Sequence, residues 1–505
     1  MTDNNAAQQI ASGYAAGGAA VDLGAVVIDE AADAGAQVRI PLATLNRHGL
    51  VAGATGTGKT KTLQLLAEQL SDAGVPVVLA DIKGDLSGLA QPGEGGDKLT
   101  ARAQDVGDDW QATSYPVQFL SLGTSGRGVP IRASITSFGP LLLAKVLGLN
   151  ATQESTLGLI FHWADQRGLA LLDTKDLRSV IQYLTSDEGK EDLKGIGGVS
   201  AASAGVILRA LSNLEAQGGD EFFGEPELEV GDLLQQVDAR GVVNLLELSE
   251  VQTNPVLFST FLMWLLAELF EELPEAGDLD RPKLVFFFDE AHLLFNDASK
   301  AFLDSIEQTV KLIRSKGVGV FFCTQLPTDV PNPVLSQLGA RVQHAIRAFT
   351  PEDQKALSRT VKTYPTTEHY DLGQALTSLG TGEAIVTVLS ETGAPTPVAW
   401  TRLRPPRSLM GAIGEDAVRS SAESSQLHAK YSETIDRESA YEKLAQKVPE
   451  ASAEPSAEAP KKAEAQDAGM FQKAMENPAV RSFFRSAASA VGREVTRGLF
   501  GNRRR

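Results

Sequence analysis

The amino-acid sequence predicts an α/β fold in which helices cover both faces of a mostly parallel sheet. Short apolar runs alternate with amphipathic helical patterns over residues 1–407, as expected for strands buried on both faces. One run is followed directly by a Gly-rich motif and a helix, the arrangement of a phosphate-binding loop. A stretch at about residues 137–236 is mostly helical in pattern and predicts an all-helical insertion carried on the sheet.

Seven apolar runs are strand candidates. They lie at residues 49–52, 76–82, 117–122, 242–248, 284–289, 318–324 and 383–389. Helical patterns follow three of them, at residues 59–71, 255–272 and 301–315. This alternation favours a doubly wound sheet, because right-handed crossovers lay successive strands parallel to one another. Within the insertion, helical patterns lie at residues 141–146, 157–164, 177–184 and 202–215.

The composition is that of a chain able to bury a large core. Of its 505 residues, 43% are hydrophobic and 22% are charged, and the net charge is −18. So acidic a balance argues against a surface that coats nucleic acid indiscriminately. The single cysteine excludes an intramolecular disulfide and a zinc site of several cysteines. The N-terminus has no secretory signal pattern, and the longest apolar segment, residues 255–269, is too short and polar to span a bilayer, so we expect a cytoplasmic protein.

Composition also divides the chain into segments. We expect a flexible N-terminus over residues 1–20 and one large domain over residues 21–411. Residues 412–449 predict a polar helical extension, and residues 450–468, an Ala/Glu/Pro/Lys tract, predict a disordered linker. Residues 469–505 are apolar and basic, and their part from 478 to 505 holds seven Arg and one Glu. They predict a basic amphipathic helix that contacts an anionic membrane surface, a protein partner, DNA phosphate or the protein's own acidic core.

The strongest functional signal is a full match to GxxxxGK[ST]. It lies between the apolar run at residues 49–52 and a helical pattern, which is the context that a P-loop requires. Glycines let the backbone turn its N–H groups toward a phosphate, and the following helix adds its positive N-terminal end. We expect Lys59 to reach the β- and γ-phosphates and Thr60 to ligate Mg²⁺. The predicted nucleotide-binding residues are Gly53, Ala54, Thr55, Gly56, Thr57, Gly58, Lys59 and Thr60.

A pair of carboxylates lies much further along the chain. The apolar run at residues 284–288 ends in Asp289 and Glu290, which is the Walker B pattern. Adjacent carboxylates at the end of a buried strand are costly unless a cation neutralises them. Asp289 is therefore predicted to hold Mg²⁺ through water and Glu290 to polarise the attacking water. A Glu beside the Asp favours hydrolysis over nucleotide binding alone.

Polar residues at the ends of two further strands complete the predicted site. Gln325 follows the run at residues 318–324 and is expected to bridge the γ-phosphate and the attacking water, with strand capping as the alternative. Asp81 is expected to act on Mg²⁺ or the attacking water indirectly, through a group that lies between them. A plain turn at residues 83–84 explains the presence of an Asp at this position nearly as well. Cys323, inside an apolar strand, is predicted to be a small core residue and not a nucleophile.

Three arginines are candidates for stabilising charge on the γ-phosphate across a subunit interface. Arg314 ends the helix before the strand at residues 318–324, and Arg341 and Arg347 flank the strand that follows. For any single one, a solvated or ion-paired arginine is the simpler explanation. Taken together, they favour one arginine that acts in trans.

The motifs resemble those of the HerA/FtsK superfamily of P-loop motor ATPases, and within it the bacterial HerA-like group of unknown function. The resemblance covers about residues 20–411. It is carried by LNRHGLVAGATGTGKTKTLQLLAEQLS, ADIKGDLSGLA, VSAASAGVILRALSNLEAQGGDEFFGEPELE, FFFDEAHLLF, RVQHAIRAFTPEDQKAL and GEAIVTVL…PPRSLMG.

The resemblance implies a RecA-like core that uses ATP and Mg²⁺ and assembles as a ring, a hexamer in this family. It implies hydrolysis coupled to movement of a polymer, usually double-stranded DNA, through a central pore. By position, Lys59 and Thr60 match Walker A, Asp289 and Glu290 match Walker B, and Gln325 matches the sensor glutamine. Arg314 resembles the family's trans-acting arginine.

Two alternatives belong to other classes of protein. One is an ATP-gated scaffold or membrane-surface regulator in which the basic C-terminal helix makes the contact and no polymer is threaded. The other is a nucleotide kinase, which the helical insertion and the arginine candidates fit poorly. The HerA helicases also carry an N-terminal β-barrel, and the stretch that precedes the P-loop strand here is too short for a complete barrel.

Overall fold

Twelve strands within the described residues form a single mixed sheet. The computed structural model describes residues 4–81, 84–124, 126–193, 197–247, 255–277, 279–296 and 298–445. The strands are β1 (Ala20–Ile28), β2 (Ala31–Pro41), β3 (Gly49–Ala52), β4 (Val77–Asp81), β5 (Val117–Leu122), β6 (Val129–Ile131), β7 (Gln236–Val237), β8 (Arg240–Gly241), β9 (Val243–Glu247), β10 (Leu284–Phe288), β11 (Val318–Thr324), β12 (Ala340–Gln343), β13 (Glu383–Thr387) and β14 (Ala399–Leu403). Their order in the sheet is β2-β1-β14-β13-β12-β3-β11-β10-β4-β9-β5-β6, with β7 and β8 forming a separate ribbon.

The parallel part of the sheet matches the sequence prediction. From β12 to β6 every neighbouring pair is parallel. All residues of β3, β4, β9, β10 and β11 are buried, because helices cover both faces of a parallel sheet and leave no side to solvent. The carboxyl ends of these strands therefore lie along one edge, where loops can place polar side chains together.

The antiparallel end of the sheet was not predicted in full. β13 pairs with both β12 and β14, and β1 pairs with both β14 and β2, all antiparallel. The prediction of a flexible N-terminus over residues 1–20 was wrong for its described part, because residues 4–12 form a helix whose Ala7 and Ile10 are buried. Tyr14 follows it and donates hydrogen bonds to the carbonyls of Val386 and Pro397.

The helices surround this sheet. They are α1 (Asn4–Ser12), α2 (Lys59–Asp72), α3 (Asp97–Asp105), α4 (Ile135–Val146), α5 (Ala151–Gln166), α6 (Thr174–Thr185), α7 (Asp187–Asp192), α8 (Ala201–Ala216), α9 (Pro255–Glu272), α10 (His292–Phe295), α11 (Lys300–Ile313), α12 (Asn332–Leu335), α13 (Pro351–Val361), α14 (Leu372–Ser378), α15 (Glu415–Glu423), α16 (Gln426–Tyr431) and α17 (Ala440–Ala445). None of those in the described ranges combines the length and the apolar character that crossing a bilayer requires.

The predicted insertion consists of α4 to α8. At the start of α5, the side chains of Asn150 and Gln153 each accept a hydrogen bond from the other residue's backbone N–H, which is a capping box. α4 is interrupted at Gly139, which has a φ of +75° and directly precedes Pro140. Apolar periodicity predicted four of the five helices; the short α7 was not predicted.

The segment predicted as a polar extension forms three short helices, of which α15 packs on β5, α16 on β6 and α17 on α6 of the insertion. Tyr431 is fully buried; its hydroxyl donates to Asp232 Oδ2 at 2.6 Å and accepts from the backbone N–H of Glu229 at 2.9 Å. Arg132 donates to the carbonyl of Tyr431. The predicted linker at residues 450–468 and amphipathic helix at residues 469–505 lie outside the described residues.

Candidate active site

The P-loop, residues 53–60, joins β3 to α2. Three of its glycines have positive φ: +152° at Gly53, +80° at Gly56 and +119° at Gly58. Side chains with a Cβ rarely adopt these values, so the motif's glycines answer a steric need of the backbone. The loop is held at its entrance, where the N–H of Gly53 donates to the carbonyl of Thr324 on β11.

Lys59 folds over the inner side of this loop. Its Nζ donates to the carbonyls of Gly53, at 2.6 Å, and Ala54, at 3.3 Å. The hydroxyl of Thr57 donates to the same Ala54 carbonyl at 2.7 Å. The Lys59 side chain therefore lies against the loop, and Thr60 follows it in the first turn of α2.

Asp289 follows directly after β10. Strand β11 lies between β10 and β3, the strand that leads into the P-loop. Phe288 on β10 pairs with Phe322 on β11, which puts Asp289 beside Cys323, and the Cys323 thiol lowers the pKa of Asp289. Burial raises the pKa of Asp289, and the charge of Glu290 raises it further. Cys323 is buried in β11, as predicted for a small core residue, and burial raises the pKa of its thiol well above the ordinary value.

Glu290 occupies a strained position with a free carboxylate oxygen. Its φ is +47°, which is unusual for a residue with a side chain and is common at functional sites. Its N–H donates to Asp289 Oδ1 at 2.9 Å. Its Oε2 is buried and has no hydrogen-bond partner among the described residues; His292 Nδ1 lies 3.4 Å away. An unsatisfied buried carboxylate oxygen is costly unless water or an ion completes it.

The donor set fits Mg²⁺. Thr60 supplies a hydroxyl and Asp289 a carboxylate, and oxygen ligands of this kind, together with phosphate and water, are those that Mg²⁺ prefers. The raised pKa of Asp289 reflects a buried carboxyl group that a cation would stabilise in its charged form.

The two remaining polar candidates differ in what they contact. Gln325 is exposed directly after β11, at the same edge as the P-loop. Asp81 is buried at the end of β4, and its two oxygens accept the backbone N–H groups of Gly84, at 2.7 Å, and Leu86, at 2.9 Å. These contacts show that Asp81 shapes the loop after β4.

The three arginines lie in different places. Arg314 is exposed at the end of α11, before β11 begins. Seven strand residues at about 3.3 Å each separate that edge of the sheet from the P-loop edge, a distance of roughly 20 Å. The guanidinium of Arg341 donates to the carbonyls of Thr363 and Leu335. Only Arg347, of these three, reaches its own P-loop, donating to the Thr55 carbonyl at 3.3 Å.

A cavity of about 560 Å³ continues from the P-loop along α2. Gly58 borders both, and the cavity is bounded by α2, α3, the turn before β13 and the segment after β14. Its wall combines apolar and cationic side chains, namely Leu65, Leu99, Leu403, Pro405, Pro406, Met410, Lys61, Lys98, Arg102 and Arg404. Sequence reasoning missed this cavity, because its walls come from segments that are distant from one another in the chain.

His344 is a second residue that sequence reasoning missed. It lies just after β12 and is fully buried against the P-loop and α2. The segment RVQHAIRAF carried part of the family resemblance, but a lone histidine in an apolar stretch has no pattern that predicts a contact with a loop so much earlier in the chain.

Comparison with known proteins identifies a relative of this chain. The DNA double-strand break repair helicase HerA of Sulfolobus acidocaldarius is 21% identical over 376 residues, which cover 69% of this chain and 64% of that protein. This chain thus spans about two thirds of the relative's length.

Two solved structures share the fold. The bacterial conjugative coupling protein TrwBdeltaN70 superposes with a TM-score of 0.51 at 16% identity, covering 80% of this chain and 94% of that chain. The plasmid coupling protein TrwB, in complex with the non-hydrolysable ATP analogue ADPNP, gives 0.50 at 17% identity, with 79% and 99% covered.

The fold is accordingly a RecA-like P-loop core with a mostly parallel sheet. The family model described as Helicase HerA-like C-terminal matches residues 27–505, and the chain belongs to that family.

Proposed function

We propose that the protein is an ATP-hydrolysing motor that assembles as a ring and translocates double-stranded DNA. One observation carries the proposal: Lys59, Asp289 and Glu290, which are far apart in sequence, lie along the carboxyl ends of strands β3 and β10 on either side of β11. This is the constellation that nucleotide hydrolysis requires.

Each residue of the site has a part in the hydrolysis we propose. Lys59 and the loop amides bind the β- and γ-phosphates, while Thr60 and Asp289 are the residues that would hold Mg²⁺. Bound Mg²⁺ would neutralise charge on the phosphates. The free Oε2 of Glu290 accepts a proton from the attacking water, and Gln325 orients that water. The base and ribose extend into the cavity beside α2, where apolar side chains can cover the base.

The arrangement of arginines supports a ring. A heterologous, head-to-tail interface closes into a ring when it joins opposite edges of one subunit to its neighbours. Arg314 is exposed at the sheet edge opposite the P-loop, so it can serve only the site of another subunit. At the P-loop edge, Phe349 is 86% exposed beside Arg347, and a neighbouring subunit would cover it. Ring size six follows from the family resemblance.

DNA as the polymer is supported by the function of the relative from Sulfolobus acidocaldarius, a DNA double-strand break repair helicase. The charge distribution limits which parts of the surface can contact DNA. The segment from 478 to 505 carries +6, so the chain before it carries −24, and contact with DNA must be confined to a narrow pore surface or to the basic C-terminal segment. With one cysteine in 505 residues, we place the protein in the cytoplasm.

The test is ATPase activity with and without double-stranded DNA, together with the size of the complex in ATP. We expect Lys59→Ala to lose nucleotide binding or hydrolysis, and Glu290→Gln to bind ATP normally while turnover falls about a hundredfold or more. Wild-type turnover in Glu290→Gln would refute the role of that residue. The proposed motor function would be refuted if the protein hydrolysed ATP normally without stimulation by DNA and stayed monomeric in ATP.

The basic C-terminal segment favours a second candidate, an ATP-gated scaffold or membrane-surface regulator. In that case the protein would hydrolyse ATP without DNA stimulation and would bind vesicles that contain anionic lipid, in a manner that depends on residues 469–505. Loss of vesicle binding when the arginines of that segment are changed to Gln would identify this function.

A further inference from the structure

His344 lies directly beneath the P-loop. Its backbone N–H donates to the carbonyl of Ala52 at 2.7 Å, and the carbonyl of Ala345 accepts from the N–H of Ala54 at 2.9 Å. The chain after β12 therefore continues to pair with the P-loop strand as that strand turns into the loop. The His344 side chain is 0% exposed, so the imidazole is enclosed by the elements it touches.

The imidazole also contacts α2. Its Nε2 shares a hydrogen bond of 2.8 Å with Thr62 Oγ1, and the Thr62 hydroxyl lies within hydrogen-bond distance, 3.3 Å, of the Gly58 carbonyl. Thr62 follows Thr60 closely on the same helix. The contact thus anchors the helical turn from which Lys59 and Thr60 project.

The His344 side chain lies under both ends of the loop, with its Cβ beneath Gly53 and its ring beneath Gly58. A Cβ added at Gly53 would lie 2.5 Å from the Cβ of His344, and one added at Gly58 would lie 3.3 Å from its Cε1. Nδ1 is buried and has no hydrogen-bond partner within the described ranges. Burial lowers the pKa of His344 to about 4, so the ring is neutral and adds no charge beside Lys59.

We propose that His344 is a positioning residue for phosphate binding: its imidazole, held between Gly53, Gly58 and Thr62, sets the shape of the P-loop and the direction of the first turn of α2. A loop with three glycines is flexible and loses backbone entropy when it orders around a ligand. A rigid buried ring that holds the loop in its binding conformation reduces that cost. The proposal rests on nucleotide binding at the P-loop.

The test compares ligands that use the loop to different extents. His344→Phe keeps a flat ring of similar size but loses the hydrogen bond to Thr62, whereas His344→Gln keeps an N–H donor. We expect His344→Phe to raise the Kd for ATP about five- to tenfold, on the scale of one lost hydrogen bond plus its effect on the loop. The Kd for AMP, which lacks the β- and γ-phosphates, should stay within about twofold. His344→Gln should recover at least half of the loss.

A matched control lies at the other edge of the sheet. His48 is also buried, at 2% exposure, its pKa is likewise lowered to about 4 by burial, and its Nδ1 accepts from the N–H of Val320. His48→Phe should lower the melting temperature comparably and leave the Kd for ATP unchanged. If His344→Phe does not fold, Thr62→Val can replace it, because it removes the same hydrogen bond. If both variants fold, the double variant should bind ATP no more weakly than His344→Phe alone.

Three results would overturn the proposal: unchanged ATP affinity in a folded His344→Phe or, if that variant does not fold, in Thr62→Val; equal losses for ATP and AMP; or an equal loss of ATP affinity in His48→Phe. These results are distinct from failure of the proposed function, in which the wild-type protein itself would bind or hydrolyse no ATP.

Discussion

Cys323 lies beside Asp289, and its thiol lowers the pKa of that carboxyl group. The positions of the two residues follow from the parallel register of β11 and β10, in which Phe322 pairs with Phe288. Burial and the charge of Glu290 disfavour the charged form of Asp289, while the thiol and Lys59 favour it. A residue that sequence reasoning treated as core filling therefore also supports the ionised state of the predicted Mg²⁺ ligand.

Cys323→Val should weaken the use of Mg²⁺. The substitution keeps an apolar side chain of similar size but removes the donor, so protons compete more strongly with Mg²⁺ for Asp289. We expect the Mg²⁺ concentration that gives half-maximal ATPase activity to rise about threefold at pH 7, and by more at pH 6 than at pH 8. Cys323→Ser keeps a donor and serves as the control. Equal Mg²⁺ curves for wild type and Cys323→Val would show that the thiol has no such role.

Glu268 should make stability depend on pH. Burial, followed by the charges of Glu271, Glu227 and Glu272, raises the pKa of Glu268 from 4.5 to about 7. The folded protein therefore binds this proton more tightly than the unfolded chain, and the free energy of unfolding falls as pH rises from about 4.5 to 7. Glu268→Gln should melt at a higher temperature than wild type at pH 8 and at the same temperature near pH 4.5.

The control for this prediction is Glu423→Gln, which removes one exposed charge from α15, at a residue that does not contribute to the pKa shift of Glu268. It should change the melting temperature less at pH 8. A difference between Glu268→Gln and wild type that stays constant from pH 4.5 to 8 would show that titration of Glu268 is not the cause.

Filling the cavity beside α2 should separate base binding from phosphate binding. Leu99 is a half-buried member of its apolar wall, and Leu99→Trp would place a larger side chain in the space proposed for the base. We expect the Kd for ATP to rise tenfold or more, about 1.4 kcal/mol, while inorganic tripolyphosphate binds as in the wild type. Leu99→Met is the size-matched control. A parallel loss of tripolyphosphate binding would mean that the P-loop itself had been distorted.

The sequence allowed the parallel part of the sheet to be predicted closely. Residues 49–52, 117–122 and 318–324 match β3, β5 and β11 to the residue. β3 and β11 are buried along their whole length, and such strands are apolar runs that stand out in a sequence. β2 was missed because its Ala-rich first half, AADAGA, is partly exposed and alternates too weakly to stand out. Its place in the fold depends on pairing with β1, which the local sequence does not encode.

The same distinction between local and non-local signals applies to the residues of the candidate site. Lys59, Thr60, Asp289 and Glu290 could be predicted, because each belongs to a motif whose residues are adjacent in sequence. His344 and the cavity wall could not, since their roles depend on distances between segments that only the fold brings together. The sequence also could not show that Asp81 is engaged by two backbone N–H groups, nor that Arg347 reaches its own P-loop while Arg314 does not.

Arg314 should affect the turnover of ATP without affecting ATP affinity at its own P-loop. At roughly 20 Å from its own P-loop, it cannot touch a nucleotide bound there, so Arg314→Ala should leave ATP affinity unchanged within about twofold. If a neighbour's γ-phosphate is its target, turnover should fall about a hundredfold or more, as for other trans-acting arginines. Arg347→Ala, which alters a residue beside its own P-loop, should instead change ATP affinity.

Mixing variants tests whether Arg314 acts across subunits. A ring of Arg314→Ala alone has intact Walker motifs but no arginine, and a ring of Glu290→Gln alone has the arginine but no base. Where the two adjoin in the correct order, an Arg314→Ala subunit with an intact Glu290 receives Arg314 from its Glu290→Gln neighbour, so one complete site forms at that interface. An equimolar mixture should therefore recover up to about a quarter of wild-type turnover, because roughly one interface in four has that order. Turnover in the mixture no higher than in the two variants measured apart would show that Arg314 does not act in trans.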